Sequence, residues 1–449
     1  MTVLNRIKSW FEPHRPLSPG IYHYQTSPDA AQQFRLHLRV EPDGRGVLLV
    51  NAAKVLHLNQ TATEYAKLIV ENVGTSEAAA EIARRYRVSR ETARADFDQL
   101  QETILTIARS GEEVCPVTYL DVDQVAPMSV ELSAPYRMDL VVTYRCQNDC
   151  SHCYNARPRD FPELSTDDWK RVIDRCWEQA IPHITFTGGE PTLRSDLPDL
   201  VRYAEQTGLV TGLQTNGRLL ADRAYLEELL VAGLDHIQIT LESHDPAIHD
   251  RMVGVDGAWQ ETVNGIKTVV SADVYMMTNT TLTTENTPGI EQAIAFAASL
   301  GVPTFGCNSL IYSGSAVAVG SGIPEGELEP VLERVKTATQ EQHMRLIWYT
   351  PTQYCEFDPT GLELGIKGCT AARYNMAVEP NGDVIPCQSY YVALGNILRD
   401  PWPAIWNHEL ALYLRNRNFV MEKCHHCPDF SLCGGGCPLY VKEQQRLGL

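Results

Sequence analysis

The sequence predicts an α/β protein in which a partial (β/α)6 TIM-like barrel lies between a small N-terminal winged-helix-like domain and a cysteine-rich C-terminal domain. Three observations predict this order. The chain of 449 residues is long enough for several domains. Residues 138–320 alternate six short apolar runs with amphipathic helical stretches, and seven of the 13 cysteines follow residue 340. We expect domains at 1–115, 116–335 and 336–449.

The charge is strongly acidic and unevenly distributed. Lys and Arg number 38 against 56 Asp and Glu, a formal net charge of −18, and residues 1–115 carry equal numbers of both signs. The acidic remainder should repel nucleic acid phosphates. No apolar run is long enough to span a membrane, and the N-terminal segment lacks the apolar stretch of a signal peptide. We therefore expect a cytoplasmic protein with reduced cysteines, whose spacing points to metal ligation.

The N-terminal region combines strands with helices. Alternating apolar residues at Phe34–Val40 and Val47–Asn51 flank a Pro-Asp-Gly turn, and a third short strand follows at Lys54–Leu58. Three helical patterns come next, at Thr61–Val73, Ser76–Tyr86 and Ser89–Ala108.

The central region predicts six strand-helix units. A helix should begin after Ser165, which can cap its N-terminus, with Asp167 and Asp168 in its first turn. Because the strands are parallel, motifs that follow them should meet at one edge of the sheet. The predicted strands are Asp139–Tyr144, His183–Thr187, Leu209–Gln214, His236–Leu241, Val274–Leu282 and Thr304–Leu310.

A CxxxCxxC motif follows the first barrel strand, with its thiols at Cys146, Cys150 and Cys153. Three thiolates on one loop can hold three irons of a [4Fe-4S] cluster and leave the fourth iron open to a substrate. The alternative is a zinc loop with a fourth ligand elsewhere. The position directly after a strand favours the cluster.

This motif resembles the signature of the radical S-adenosylmethionine (SAM) enzymes, in which an aromatic ring precedes the last cysteine. His152 occupies that place. The resemblance implies that the open iron chelates SAM and that an electron from the cluster cleaves it. The product would be a 5′-deoxyadenosyl radical that removes hydrogen from an unactivated C–H bond.

The second barrel strand ends in Gly188, Gly189 and Glu190, which resemble the GGEP loop of the same family. Two glycines let backbone groups approach a ligand closely, and Glu190 can accept a hydrogen bond from the ammonium group of SAM. By the same resemblance, Asn216 lines the pocket, while Thr240 and Arg251 hold the methionyl carboxylate or the ribose. The alternative for these three residues is that each is a polar residue capping the next helix.

The C-terminal cysteines resemble the SPASM extension, a module with two auxiliary iron-sulfur clusters found on radical enzymes that modify peptides and proteins. The family's pattern implies that the first cluster takes Cys355, Cys369, Cys387 and Cys437. It implies that the second takes Cys424, Cys427, Cys433 and a further downstream cysteine, which this sequence lacks. One or two auxiliary clusters are therefore expected. Asp429, His425, His426, Cys307 or a substrate thiolate could replace the missing ligand; Cys115 and Cys176 match no pattern and are expected to be packed thiols.

The N-terminal region, placed before such an enzyme, resembles the precursor-peptide recognition element of pathways that modify ribosomally synthesised peptides. In that family the leader peptide adds as a strand, which would place it here beside Lys54–Leu58 and against the helix that begins near Ser89. The alternative is a DNA-reading helix-turn-helix, because several arginines cluster there. These are Arg84, Arg85, Arg87, Arg90 and Arg94.

The sequence therefore predicts a radical SAM enzyme that installs a thioether or C–C crosslink, or a related C–H modification, in a ribosomal precursor peptide. Its cofactors would be SAM, a [4Fe-4S] cluster and the auxiliary clusters, which would accept the second electron. Flavodoxin or ferredoxin would supply the first electron. The alternatives are a maturase of a whole protein or a cofactor, of the sulfatase-activating or quinone-cofactor type, and an iron-sulfur regulator that binds DNA.

Overall fold

The computed structural model describes residues 17–27, 29–51, 54–109 and 130–447. The chain divides into two compact units. The first lies within residues 1–124, to which 178–180 are added, and the second comprises the rest. No helix in the described ranges is both long and apolar enough to cross a membrane.

The first unit contains a four-stranded antiparallel sheet followed by three helices. Its strands run in the order β1 (Gly20–Gln25), β2 (Arg35–Val40), β3 (Gly46–Val50) and β4 (Lys54–Leu58). The helices are Gln60–Val70, Thr75–Tyr86 and Arg90–Arg109. Leu38, Leu48, Ile82 and Phe97 belong to the apolar cluster that joins the sheet to the helices.

The sequence missed one strand of this sheet. The predicted strands are found as β2, β3 and β4, but β1 also pairs with β2 along its whole length. The side chains of β1 are exposed or only half buried, so the strand carries no clear apolar alternation. Lys54–Leu58, the third strand predicted from the sequence, is the fourth strand of the sheet and forms one of its edges.

The second unit contains the six predicted barrel strands, which lie side by side in chain order and pair in parallel. They are β5 (Arg137–Thr143), β6 (His183–Gly188), β7 (Val210–Thr215), β8 (His236–Thr240), β9 (Tyr275–Leu282) and β10 (Thr304–Ser309). Met138, Leu140 and Val142 of β5 pack in the large apolar cluster with residues of the surrounding helices. Because neighbouring residues of a strand point to opposite faces, Asp139 and Thr143 lie on the other face, inside the barrel.

The sheet extends beyond these six strands at both ends. The strand β11 (Arg345–Trp348) adds in parallel to β10, and β12 (Asn375–Val378) adds in parallel to β5. The short strands β13 (Asp383–Ile385) and β14 (Gly395–Asn396) complete a ten-stranded sheet. The sequence predicted none of these four strands, because segments of two to four residues are too short to show a period.

Helices cover the outer face of the barrel. The predicted cap is confirmed, since the Asp168 N–H donates to Ser165 Oγ over 3.2 Å at the start of the helix Thr166–Glu178. Trp169 of that helix is fully buried. The other barrel helices are Leu197–Thr207, Arg223–Val231, Pro246–Val253, Ala258–Val270, Ile290–Ser299 and Leu328–Glu341, and shorter ones follow at Trp402–Trp406, Glu409–Arg415, Phe430–Cys433 and Pro438–Leu447.

Candidate functional site

The loop that carries the CxxxCxxC cysteines begins directly after β5 and is braced from two sides. The N–H groups of Asp149 and Ser151 donate to the carbonyls of Val253 and Met252 over 2.8 and 2.9 Å. From the other side, the Arg159 guanidinium donates to the Cys146 carbonyl over 2.7 Å. The loop therefore has a fixed backbone at the carboxyl end of the barrel.

The three thiols of this loop are half-buried. Burial raises the pKa of Cys146 to about 11, and it also raises the pKa of Cys150 and of Cys153. Thiols in such surroundings become thiolates when a cation binds between them, which is the chemistry of iron-sulfur ligation. The Asn148 N–H lies 3.4 Å from Cys146 Sγ and can donate to that sulfur. Among the described residues, no three His, Cys, Asp or Glu side chains surround one point as a single metal ion requires.

The glycine pair after β6 packs directly on the start of the cysteine loop. The Gly189 N–H donates to the Thr143 carbonyl and the Glu190 N–H to the Arg145 carbonyl, both over 2.8 Å. Gly188 has a φ of 140°, which side chains rarely allow. A Cβ at Gly189 would collide with the carbonyl oxygens of Arg145 and Tyr144. Only glycine therefore brings the two loops this close together.

Glu190 is fully buried and joins three loops at the barrel edge. Its Oε1 accepts from the Thr192 and Thr215 hydroxyls over 2.6 and 2.7 Å, and its Oε2 accepts from the Asn216 N–H over 2.8 Å. Burial raises the pKa of Glu190 although these donors oppose the shift. Oε2 retains a lone pair, because a carboxylate oxygen can accept two hydrogen bonds. That lone pair suits an ammonium group.

Three buried polar atoms on the loops next to the cysteines have no hydrogen-bond partner in the described part of the chain. They are His152 Nδ1, Asn216 Nδ2 and Gln147 Oε1. Buried polar groups are almost always paired, so unpaired ones call for a ligand, an ion or water. The donor set and these atoms together fit an iron-sulfur cluster with a polar ligand such as SAM.

A histidine-carboxylate pair that the sequence analysis missed holds His152 in place. His152 Nε2 lies 2.9 Å from Glu242 Oε1, and Glu242 Oε2 accepts from the Thr281 N–H over the same distance. Burial opposes a charge on His152, but the Glu242 carboxylate outweighs it and raises the His152 pKa. The signal in the sequence is a carboxylate two residues after the end of strand β8.

The remaining predicted SAM contacts, Thr240 and Arg251, lie at the same edge of the barrel, but their side chains are less buried than that of Glu190. Thr240 ends β8 and is half-buried. Arg251 has an exposed side chain whose Nε pairs with Glu285 Oε2 over 3.1 Å. Their roles remain predictions.

A buried ion pair connects the segment after the cysteine loop to the C-terminal strands. The Arg157 guanidinium donates to both carboxylate oxygens of Glu379 over 2.7 and 2.8 Å, and the Tyr144 hydroxyl donates to the same carboxylate over 3.0 Å. Glu379, which follows β12, is fully buried. The cysteine loop and the C-terminal segment are therefore held in a fixed relation to each other.

The C-terminal cysteines form two groups. Burial raises the pKa of Cys369, Cys387 and Cys437 to about 12, and each of these thiols also raises the pKa of another one of the three. The second group contains Cys424 and Cys433; burial raises the pKa of both thiols, and the Cys355 thiol raises it further. The family's pattern implies that Cys355 joins the first group, whereas the structure places it beside the second.

Two further cysteines lie in the apolar core. Cys176 is fully buried among apolar side chains, which confirms the prediction of a packed thiol. Cys307 has the same environment, on the outer face of β10, and burial raises its pKa. Cys307 is therefore not available to replace the fourth ligand of the second auxiliary cluster, because its side chain is enclosed in the apolar core. Cys115 lies outside the described residues.

Replacing Gly189 by Ala should reduce the iron content at the CxxxCxxC site by more than half, because the added Cβ must push the cysteine loop away. Iron and sulfide analysis, with the visible spectrum, measures this loss. Gly361→Ala is the matched control, since a Cβ there meets no atom within 4 Å. Equal iron contents of the two variants would contradict this explanation of the glycine pair.

Comparison with known proteins agrees with this geometry. The Radical SAM superfamily matches residues 140–297, and the SPASM iron-sulfur cluster-binding domain matches residues 369–428. An AdoMet-dependent heme synthase of Oleidesulfovibrio alaskensis is 29% identical over 66% of this chain and 80% of its own length. A PqqA peptide cyclase of Bradyrhizobium diazoefficiens is 28% identical over 68% of this chain and 81% of its own length.

A solved structure resembles nearly the whole chain. Streptococcus suis SuiB, bound to its precursor peptide SuiA, superimposes with a TM-score of 0.65 over 95% of this chain and 96% of SuiB. At 16% identity this likeness concerns the fold. The chain contains a Radical SAM domain and a SPASM iron-sulfur cluster-binding domain, and its cofactors are SAM, a [4Fe-4S] cluster and auxiliary iron-sulfur clusters.

Proposed function

We propose that this enzyme modifies a ribosomally synthesised precursor peptide, forming a crosslink or a related bond at an unactivated C–H position. The observation that carries the proposal is the N-terminal unit, a four-stranded sheet with three helices, placed ahead of the radical SAM barrel. The fold likeness to SuiB, which was solved with its precursor peptide, extends over this unit because it covers 95% of the chain. A PqqA peptide cyclase among the relatives supports a peptide substrate.

The edge strand β4 is the proposed docking site of the leader peptide. In the hairpin of β2 and β3, the N–H groups of Glu41 and Asn51 donate to the carbonyls of Arg45 and Arg35. Odd-numbered residues of β3 therefore bond to β2, and its even-numbered residues bond to β4. Val55 of β4 faces Leu49, so its backbone N–H and C=O point away from β3. A leader strand can pair with these groups.

The third helix of this unit lies close to the same edge. The Lys54 ammonium at the start of β4 donates to the Ile107 carbonyl over 2.9 Å. A peptide that adds to β4 can therefore also place side chains against the helix Arg90–Arg109. Within this unit, Arg85 pairs with Glu64, and Arg94 lies 3.7 Å from Asp98. Two of the five clustered arginines thus have a carboxylate nearby within the unit, and the net charge of −18 of the chain disfavours a DNA duplex as the partner.

In the barrel, the residues of this chain would bind SAM, orient it and keep water away. When bound, the cluster would supply the electron for reductive cleavage of SAM, which is the chemistry that removes hydrogen from an unactivated C–H bond. Cys146, Cys150 and Cys153 would hold the cluster, and Glu190 would accept the ammonium of SAM. Glu242 would keep the His152 ring in one orientation and leave its Nδ1 available to a ligand.

The SPASM domain would accept the second electron of the reaction. Forming a C–S or C–C bond from a C–H bond removes two electrons from the peptide, and hydrogen abstraction accounts for one. An auxiliary cluster is a suitable acceptor for the other. A flavodoxin or ferredoxin would reduce the cluster at the SAM site.

A second candidate function is the maturation of a cofactor, because heme synthases are among the relatives at 28–29% identity. Such an enzyme would act on a small molecule and would need no leader-binding strand. Peptide binding at β4 therefore separates the two functions.

We expect Val55→Pro to weaken leader binding about fivefold, because proline removes the outward backbone donor of β4, and one hydrogen bond contributes about 1 kcal/mol. Fluorescence anisotropy of the full-length chain, with a labelled peptide encoded beside its gene, measures the affinity. Val55→Thr keeps the N–H and is the control, which should bind like the unchanged protein. Undiminished binding by the proline variant would rule out this edge. Tight, sequence-selective binding of a DNA duplex with no peptide binding would overturn the proposed function.

A further inference from the structure

The segment around Cys355 runs along the loop that carries Cys433. The Tyr354 N–H donates to Cys433 Sγ over 3.3 Å, and the same thiol lies 3.6 Å from the Thr352 carbonyl, to which it donates. Cys355 is the next residue of this segment, and its side chain is exposed. The backbone on the N-terminal side of Cys355 is thus fixed against a cysteine of the second group.

The side chain of the residue after Cys355 lies near the start of the segment that carries Cys424, Cys427 and Cys433. Glu356 Oε1 lies 3.9 Å from the Lys423 ammonium, and Lys423 directly precedes Cys424. Cys355 is therefore flanked by a contact to Cys433 on one side and a contact next to Cys424 on the other. Cys424 and Cys427 share one tight turn, in which the Cys427 N–H donates to the Cys424 carbonyl over 3.2 Å.

Two segments that carry cysteines of the first group are joined to each other by a backbone hydrogen bond. Cys387 follows β13, and Cys369 precedes β12. The Ala372 N–H donates to the Pro386 carbonyl over 2.8 Å, which joins the segments that carry these two cysteines. Cys437 completes this group, and Gly436 before it packs on Gln353 closely enough that a Cβ would lie 3.0 Å from that side chain.

We propose that Cys355 is the fourth thiolate of the second auxiliary cluster, together with Cys424, Cys427 and Cys433. This assignment gives the second cluster four thiolates from the residues of this chain. The first auxiliary cluster is then held by the three thiolates of Cys369, Cys387 and Cys437, and one of its irons has no cysteine ligand. The inference concerns cluster ligation alone and does not depend on the identity of the substrate.

The test compares the effect of Cys355→Ala in two backgrounds, both with Cys146, Cys150 and Cys153 already replaced by Ala. In the first background, Cys369→Ala and Cys387→Ala remove the first auxiliary cluster. There Cys355→Ala should change the EPR spectrum of the remaining cluster and lower its iron content. In the second background, Cys424→Ala and Cys427→Ala remove the second cluster, and Cys355→Ala should leave iron content and spectrum unchanged. The opposite pattern, a change in both backgrounds or a change in neither would overturn the assignment.

A second measurement uses the unsubstituted protein. The anaerobically reconstituted full chain is treated with a chelator while its thiols are alkylated, and mass spectrometry follows each cysteine. Cys355 should become alkylated in step with Cys424, Cys427 and Cys433. Alkylation in step with Cys369, Cys387 and Cys437, or ahead of both groups, would overturn the proposal. Cys176→Ala is the control variant, since that thiol lies in the apolar core and its loss should leave both clusters in place.

Discussion

Replacing Cys146, Cys150 and Cys153 together by Ala is expected to abolish the formation of 5′-deoxyadenosine. The three thiols lie on one braced loop at the carboxyl end of β5 and are the proposed protein ligands of the cluster that binds SAM. Without them the cluster has no attachment, and SAM has no electron source. We expect the rate to fall at least a thousandfold, to the background of the assay. Chromatography of reactions with dithionite and SAM measures the product.

The triple variant should remain folded, because none of the three side chains belongs to the apolar core. Its remaining iron reports on the auxiliary clusters and should correspond to about two of them. Turnover of SAM by this variant would contradict the assignment of these three cysteines as ligands of the cluster that binds SAM. A complete loss of iron-sulfur absorbance in this variant would contradict the presence of auxiliary clusters.

Replacing Cys369 and Cys387 by Ala is expected to separate SAM cleavage from peptide modification. The two cysteines are the proposed ligands of the first auxiliary cluster, whereas the loop that carries Cys146, Cys150 and Cys153 is left unchanged. Cleavage of SAM should continue within a fewfold of the original rate. The modified peptide should fall at least a hundredfold, because the second electron has no acceptor.

The same reaction, analysed by mass spectrometry of the peptide and chromatography of 5′-deoxyadenosine, gives both quantities. Cys176→Ala is the control for removing a thiol and should retain both activities. Full peptide modification by the doubly substituted enzyme would exclude the first auxiliary cluster as the acceptor. An equal loss of both activities would instead indicate a structural role for these cysteines.

Most of the fold and site features that the sequence predicted rest on motifs whose residues are close together in the chain. Cys146, Cys150 and Cys153 lie within eight residues of one another, and Gly189 follows the next strand, so spacing and strand order were sufficient to place them at one edge of the sheet. The apolar runs of β5–β10 were long enough to show a clear pattern. The SPASM cysteines were recognised for the same reason, through their spacing along the chain.

Contacts between distant segments were not visible in the sequence. Glu242 lies 90 residues from His152, and no local pattern indicates that the two side chains meet. Cys355 stands in an irregular segment after β11, where only the tertiary contacts of Tyr354 and Glu356 show which cluster it adjoins. The strand β12 is recognisable only from its pairing with β5, more than 230 residues earlier.

The most direct test of the central claim is the reaction of the reconstituted enzyme with SAM, a reductant and the precursor peptide encoded beside its gene. Mass spectrometry should show a peptide that has lost two hydrogen atoms, formed in an amount equal to the 5′-deoxyadenosine. Removing the leader segment should suppress this product. An unchanged peptide in reactions that produce 5′-deoxyadenosine, together with no binding of the leader, would contradict the claim that this radical SAM enzyme modifies a peptide.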